Sequence, residues 1–198
     1  MKEMKRLILA SNSPRRRELL SGLDIPFEVR VLPDISESCP DDLPVRLHAQ
    51  YIAEEKARAY TVAPDELLLT ADTIVVVDDR ILGKPRNKSE AVEMLRLISG
   101  RSHIVITGVC LRTQERQRAF SVETKVTFKQ LTDQEIDYYI DRYRPFDKAG
   151  AYGIQEWIGY IGVTSIEGSY FNVMGLPVQR ICSERLFRES LELEGDWG

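Results

Sequence analysis

The sequence predicts an α/β domain in which a mixed sheet is flanked by helices, and three observations carry that expectation. Strand-like and helix-like segments alternate along all 198 residues. Several strand-like runs follow one another as hairpins rather than as crossover pairs, which favours a mixed sheet over a purely parallel one. No internal repeat, low-complexity stretch or Gly/Ser-rich linker divides the chain, so residues 1–198 read as a single domain, long enough to bury its own core.

Each element has a local reason. Arg6 to Ala10 is a short buried-strand pattern ended by Ser11-Asn12-Ser13, after which Pro14 suits the first turn of a helix running to about Leu23. Between Asp42 and Tyr60, apolar residues recur near helical spacing, which predicts one long amphipathic helix. Leu67 to Val77 is β-branched and apolar, Asp78-Asp79 reads as a tight turn, and Arg80 to Gly83 returns as a partner strand. Asn87 with Glu90 opens a helix that Gly100 ends. His103 to Leu111 and the alternating Phe120, Val122, Thr124, Val126 and Phe128 predict an antiparallel pair. Thr132 with Glu135 forms a capping box for the next helix. Strand patterns are expected from Trp157 to Ser165, a turn at Glu167-Gly168 and a last helix opened by Pro177, with the acidic tail from Glu189 frayed.

Composition removes several function classes. Lys and Arg number 27 against 31 Asp and Glu, a net charge of -4, so nucleic acid held by bulk positive charge is disfavoured. The longest apolar runs, such as Ile74 to Val77, fall far short of the roughly 20 residues that span a bilayer. Three separated cysteines suit a reducing, cytoplasmic setting. With only two histidines, a transition-metal cage is disfavoured, and a catalytic metal would be a hard ion such as Mg²⁺ or Mn²⁺ on carboxylate oxygens.

Three segments can carry chemistry. Ser11-Asn12-Ser13-Pro14-Arg15-Arg16-Arg17 places hydroxyls and guanidinium forks where a helix begins, a setting that favours anions. Ser13 acting only as a helix cap explains the same pattern equally well. No Walker loop and no GxGxxG motif is present. Asp72 lies inside the apolar run Leu69 to Val75, where a charge is costly unless paired, metal-bound or functional, although a strand-end Asp facing solvent fits too. Lys84 follows the hairpin return, where its ammonium could approach the same cleft; surface charge is the default for a lone Lys, and equally for Glu37 and Lys56. In Asp147 to Gln155, two glycines permit unusual backbone angles, and the Gln155 amide offers a donor and an acceptor side by side, as a uracil or thymine edge requires. Satisfying backbone at a strand start would be its plainer role.

Taken in order, Leu9 to Arg16, Ala71 to Val75, Gly83-Lys84-Pro85, Ser99-Gly100 with His103, Thr107-Gly108-Val109, Glu123-Thr124 with Val126 and Phe128, Asp147 to Gln155, and Gly175-Leu176-Pro177 resemble the Maf family nearly end to end. That resemblance implies a fold similar to inosine triphosphate pyrophosphatases, with an elongated sheet and two lobes around a central cleft. It implies hydrolysis of nucleoside triphosphates to monophosphate and pyrophosphate with a divalent metal. Asp72 matches the family's proton acceptor, and Arg15, Thr73 and Gln155 match its specificity positions. The Arg-plus-Gln combination is similar to the branch acting on dTTP and UTP, whereas a branch preferring 7-methyl-GTP carries Trp and Glu there. Ser11, Ser13, Arg15, Arg16, Lys56 and Lys84 fall at the phosphate side, and Glu37 with Asp72 at the metal. Ser36 departs from relatives that often carry a second acid before Glu37. A homodimer is also implied, with a pyrimidine nucleoside triphosphate as the partner molecule and neither nucleic acid nor membrane. The family's other association, regulation of septum formation through protein partners, is the main alternative, and a glycosidase-like carboxylate pair of Asp72 and Glu123 is a lesser one.

Overall fold

The computed structural model describes residues 4–193. In chain order the elements are β1 (Arg6–Leu9), α1 (Pro14–Ser21), β2 (Phe27–Val29), α2 (His48–Arg58), β3 (Glu66–Val77), β4 (Arg80–Leu82), α3 (Lys88–Ile98), β5 (Ser102–Arg112), β6 (Gln117–Phe128), α4 (Asp133–Tyr143), α5 (Trp157–Gly162), β7 (Val163–Glu167), α6 (Tyr170–Met174), α7 (Val178–Ser183) and α8 (Arg185–Ser190). The strands form one seven-stranded sheet in the order β2-β1-β3-β5-β6-β7, with β4 paired to β3. β1 runs parallel to β2 and β3, whereas β3 with β4 and β6 with β7 are antiparallel. The sheet is therefore mixed, and the fold is α/β. Positive φ at both Asp78 and Asp79 makes the tight β3–β4 turn whose twist matches a hairpin.

By contacts the chain divides into two compact units, 1–72 with 107–122 and 175–198, and 73–106 with 123–174. In the first unit, α2 lays a small-residue face of Ala49, Ile52, Ala53 and Ala57 on the sheet. Alanines there bring helix and strands close: Thr70 Oγ1 donates to the Ala53 carbonyl at 2.6 Å, and Arg112 donates to the Ala57 carbonyl at 2.7 Å. Gly108 on β5 passes so near Ala49 that a Cβ would lie 2.2 Å from its carbonyl carbon. At one end of β3, buried Glu66 accepts hydrogen bonds from Arg30 at 2.6 and 3.0 Å and from the Ala63 N–H at 3.0 Å. The Arg30 bonds are the main reason its carboxyl is held down at about 2.

The second unit centres on aromatic packing. His103 lies buried with Phe128 and Tyr152 in edge and tilted contacts, its Nε2 2.6 Å from the Tyr152 hydroxyl. Burial pushes the His103 pKa down to about 4. Helix α4 opens on the expected capping box of Thr132 and Glu135 and buries Ile136, Tyr139 and Ile140.

Three local expectations are corrected, and one helix start that holds is refined. Between Asp42 and Tyr60 only His48–Arg58 is α-helical, preceded by a 3-10 turn at Val45–Leu47. Pro44, with φ -53 and ψ 135, is extended and restricts the residue before it, so the helical periodicity upstream is not used. Trp157–Gly162 is helix rather than strand. Its short apolar run fits both periods, and the glycine contacts decide the outcome. A Cβ on Gly159 would meet the Ile154 carbonyl oxygen at 1.8 Å, and one on Gly162 the Phe128 ring at 2.9 Å. The Asn87 start is half a capping box, since Glu90 accepts from the Arg86 N–H instead of closing on Asn87. The tail from Glu189 is anchored at its beginning: Glu189 and Ser190 end α8, Leu191 is buried, and the Ser190 carbonyl accepts from the Lys5 N–H. The rest of that tail, 194–198, lies outside the described residues.

Candidate active site

In the first unit the end of β1 delivers the chain into α1. Ser13 caps the helix, its Oγ accepting from the Arg16 N–H at 3.4 Å, and the Ser11 hydroxyl accepts from the Ser13 N–H at 3.2 Å and from Arg16 Nη1 at 3.5 Å. A hydroxyl that accepts through its oxygen still has a proton to donate. No acidic residue lies in the first turn of α1, so no side chain of that turn opposes an anion at the helix start. Arg16 is half-buried and anchored by Nε to the Gly175 carbonyl at 2.8 Å. Burial pushes its pKa down, Asp72 and Glu37 draw it back up, and Arg15 adds to the lowering. Arg16 thus feels the charges of Asp72, Arg15 and Glu37.

Helix α2 supplies Lys56 to the same place. Its ammonium lies 3.1 Å from Asp72 Oδ1, 2.8 Å from Glu37 Oε1 and 3.5 Å from the Ala71 carbonyl. The close helix-to-strand approach at Ala53 and Thr70 makes that reach possible. Lys56 and Asp72 side chains are 14% and 13% exposed, and Glu37 is 51% exposed. Two carboxylates here converge on one positive charge, which is the donor chemistry a hard divalent cation requires. Among the described residues no group of three or more His, Cys, Asp or Glu could cage an ion by itself. Glu37 and Asp72 would hold a metal only with oxygens from water or phosphate, the manner of Mg²⁺. Cys39 is nearby, its thiol pKa raised by burial and then by the charges of Asp72 and Glu55.

In the second unit Thr73 and Lys84 lie on and just after the β3–β4 hairpin, Thr73 half-buried and Lys84 exposed. The loop 147–156 packs onto this hairpin. The Gly150 N–H donates to the Gly83 carbonyl at 3.1 Å, and Gly150, at φ 70, has room against Val75 only because it lacks a side chain. Gln155 lies in the turn between the 3-10 turn at Ala149–Ala151 and α5, rather than at a strand start. Its Oε1 is buried and has no hydrogen-bond partner in the protein. The plainer role, satisfying backbone through that oxygen, is therefore not what the side chain does. A buried amide oxygen left unpaired costs about 1–3 kcal/mol, a cost that an N–H donor on a ligand would remove.

The family model for Maf-like proteins matches residues 6–186. The chain belongs to the Maf-like family. Within it, this chain is 61% identical over 184 residues to the dTTP/UTP pyrophosphatase of Phocaeicola vulgatus, covering 92% of this chain and 95% of that one. It is 59% identical over 181 residues to the dTTP/UTP pyrophosphatase of Parabacteroides distasonis, covering 90% and 94%. A distant likeness is found to the crystal structure of a nucleoside-triphosphatase, dITP/XTP pyrophosphatase, from Mycobacterium abscessus: 16% identity, TM-score 0.39, 70% of this chain and 95% of that one.

The Maf-like sequence did not reveal every participant. Gly175 was visible as part of Gly175-Leu176-Pro177, but not as the carbonyl that anchors Arg16. Tyr139 and Glu156 gave no signal at all. One reads as a core aromatic on a helix and the other as a surface acid, and only the fold brings them to Lys148 and Gly153.

Proposed function

We infer that this protein hydrolyses the pyrimidine nucleoside triphosphates dTTP and UTP to the monophosphate and pyrophosphate. The observation that carries the reading is the Lys56–Asp72–Glu37 cluster, placed in the same unit as an anion-favouring helix start and Arg16. A triphosphate needs cations against its oxygens and a base for the attacking water. Arg15, Arg16 and Lys56 neutralise phosphate charge, with Ser11 and Ser13 donating hydroxyl protons, and Lys84 is assigned to the phosphates as a further ammonium. Asp72 accepts the proton of the water that attacks the α phosphorus; the bond to the bridging oxygen breaks, and pyrophosphate leaves. Glu37 and Asp72 hold the divalent metal, whose chemistry is to spread the negative charge that develops on the phosphates. The Gln155 amide reads the uracil or thymine edge, with Arg15 and Thr73 as the other specificity positions.

Support for dTTP and UTP comes from the two relatives, both dTTP/UTP pyrophosphatases, which share more than half of their residues with this chain. The three free cysteines, two of them buried, fit a cytoplasmic setting, and no helix among the described residues is long and apolar enough to cross a membrane. A homodimer is the expected assembly, to be read by light scattering. The decisive variant is Asp72→Asn, which removes the proton acceptor but keeps the shape. Turnover of UTP should fall by at least 1,000-fold, on the order of what loss of general-base catalysis costs, with an unchanged unfolding midpoint. Parental turnover with both Mg²⁺ and Mn²⁺ would remove Asp72 from this role.

A further inference from the structure

The loop that presents Gln155 is held by a buried polar clasp that the phosphate chemistry does not use. Tyr139 on α4 is fully buried, and its hydroxyl both accepts from the Gly153 N–H at 3.0 Å and donates to Glu156 Oε1 at 3.2 Å. The same carboxylate oxygen lies 3.1 Å from Lys148 Nζ. Lys148 and Glu156 side chains are 12% and 17% exposed, and Lys148 also reaches Asp147 at 2.9 Å. Burial, then the Glu156 charge, pushes the Tyr139 phenol up, so its proton stays available for donation.

The clasp reaches the loop backbone through the Gly153 N–H. A Cβ on Gly153 would lie 2.4 Å from Glu156 Oε1 and 2.9 Å from Lys148 Cε. On the other face, Ile154 presses its carbonyl onto Gly159. Residues 153, 154 and 156 are thereby fixed, and Gln155 sits among them. Gln155 itself contributes no bond through Oε1 that would hold it in place. Its aim comes from the clasp.

We propose that Tyr139 and Glu156, with Lys148, are positioning residues for base selection, acting through Gln155. The proposal rests on the reading that Gln155 contacts the base, and the test separates the two. A group misplaced by a fraction of an ångström loses hydrogen bonds that depend on direction, whereas contacts that other residues make to the phosphates are left alone. Tyr139→Phe should therefore raise KM for UTP and dTTP about tenfold and narrow the preference for UTP over CTP by a similar factor, with kcat within about twofold.

The experiment is a double-mutant cycle of Tyr139→Phe with Gln155→Ala, read as kcat and KM for UTP and CTP, beside urea unfolding of each enzyme. If the proposal holds, Tyr139→Phe has its effect in the parent and almost none in the Gln155→Ala background, because residues acting in series do not add. Glu156→Gln, which still accepts from Tyr139, should retain most of the preference, and Glu156→Ala should lose it. Equal effects of Tyr139→Phe in both backgrounds, or an unchanged UTP preference, overturn the proposal. If Gln155→Ala alone leaves the preference unchanged, the base-reading role of Gln155 fails and the proposal falls with it. Should Tyr139→Phe prove too unstable to assay, the pair Glu156→Gln and Glu156→Ala in the same cycle decides by the same criterion.

Discussion

Replacing Gly108 by alanine adds one methyl group where β5 passes beneath α2. The new Cβ would sit 2.2 Å from the Ala49 carbonyl carbon and 2.3 Å from both Ala49 O and Gln50 N, all of them backbone that no rotamer change can move. Ordinary contact begins at 3.4 Å, so helix and strand must part by about 1 Å, an overpacking strain on the order of 1–3 kcal/mol. The strand gains nothing comparable from the exchange. Lys56 rides further along the same helix, 3.1 Å from Asp72 and 2.8 Å from Glu37. A shift of about 1 Å takes its ammonium beyond hydrogen-bonding distance of Asp72, and a misplacement of that size costs about 100-fold in rate. The assay is steady-state hydrolysis of UTP beside urea unfolding followed by circular dichroism. A Gly108→Ala enzyme with parental kcat and an unchanged urea midpoint would refute the claim that close packing of α2 positions Lys56.

Gln155→Glu replaces a donor by a second acceptor and should lower kcat/KM for both dTTP and UTP by about tenfold or more, as an unpaired or repelling polar group does; kcat/KM unchanged from the parent for both nucleotides would contradict the assignment. Stability should fall with acid in two windows. Folding lowers the His103 pKa from 6.5 to about 4, so the unfolded chain binds the proton first. Stability from this group is complete above pH 6.5 and lost as pH falls toward 4, by about 2 kcal/mol between pH 7 and pH 5. Glu66, held at about 2 by Arg30, adds a further loss only below its ordinary value of 4.5. Urea titrations of the parent and of His103→Gln at pH 7 and pH 5 check the first window; the same loss in both proteins would place its origin elsewhere.

Much of the fold could be read before any coordinates, because its signals are local. The β3–β4 hairpin announces itself by a β-branched run before Asp78-Asp79, and α4 by a capping box that both partners complete. Failures came where local patterns compete. Trp157 to Gly162 suits strand or helix until Gly159 meets Ile154, a contact that involves the bend of the whole loop. At Pro44 the helical periodicity on either side competes with a residue that is extended, and the proline wins. In the site, residue type and position singled out Asp72 and Gln155, only the resemblance to the Maf family added Lys56 and Glu37, and the structure brings Asp72 and Glu37 to the Lys56 ammonium. The clasp around Gln155 was not legible, since Tyr139 and Glu156 lie on different elements and mean nothing until those elements meet.

The most direct test of the central claim is product analysis. Purified protein is incubated with Mg²⁺ or Mn²⁺ and a panel of canonical and modified nucleoside triphosphates, and monophosphate with pyrophosphate is resolved from diphosphate with orthophosphate. Selective conversion of dTTP and UTP to monophosphate and pyrophosphate is the predicted result. Release of orthophosphate, or nucleotide that binds but stays intact with both metals, would contradict it.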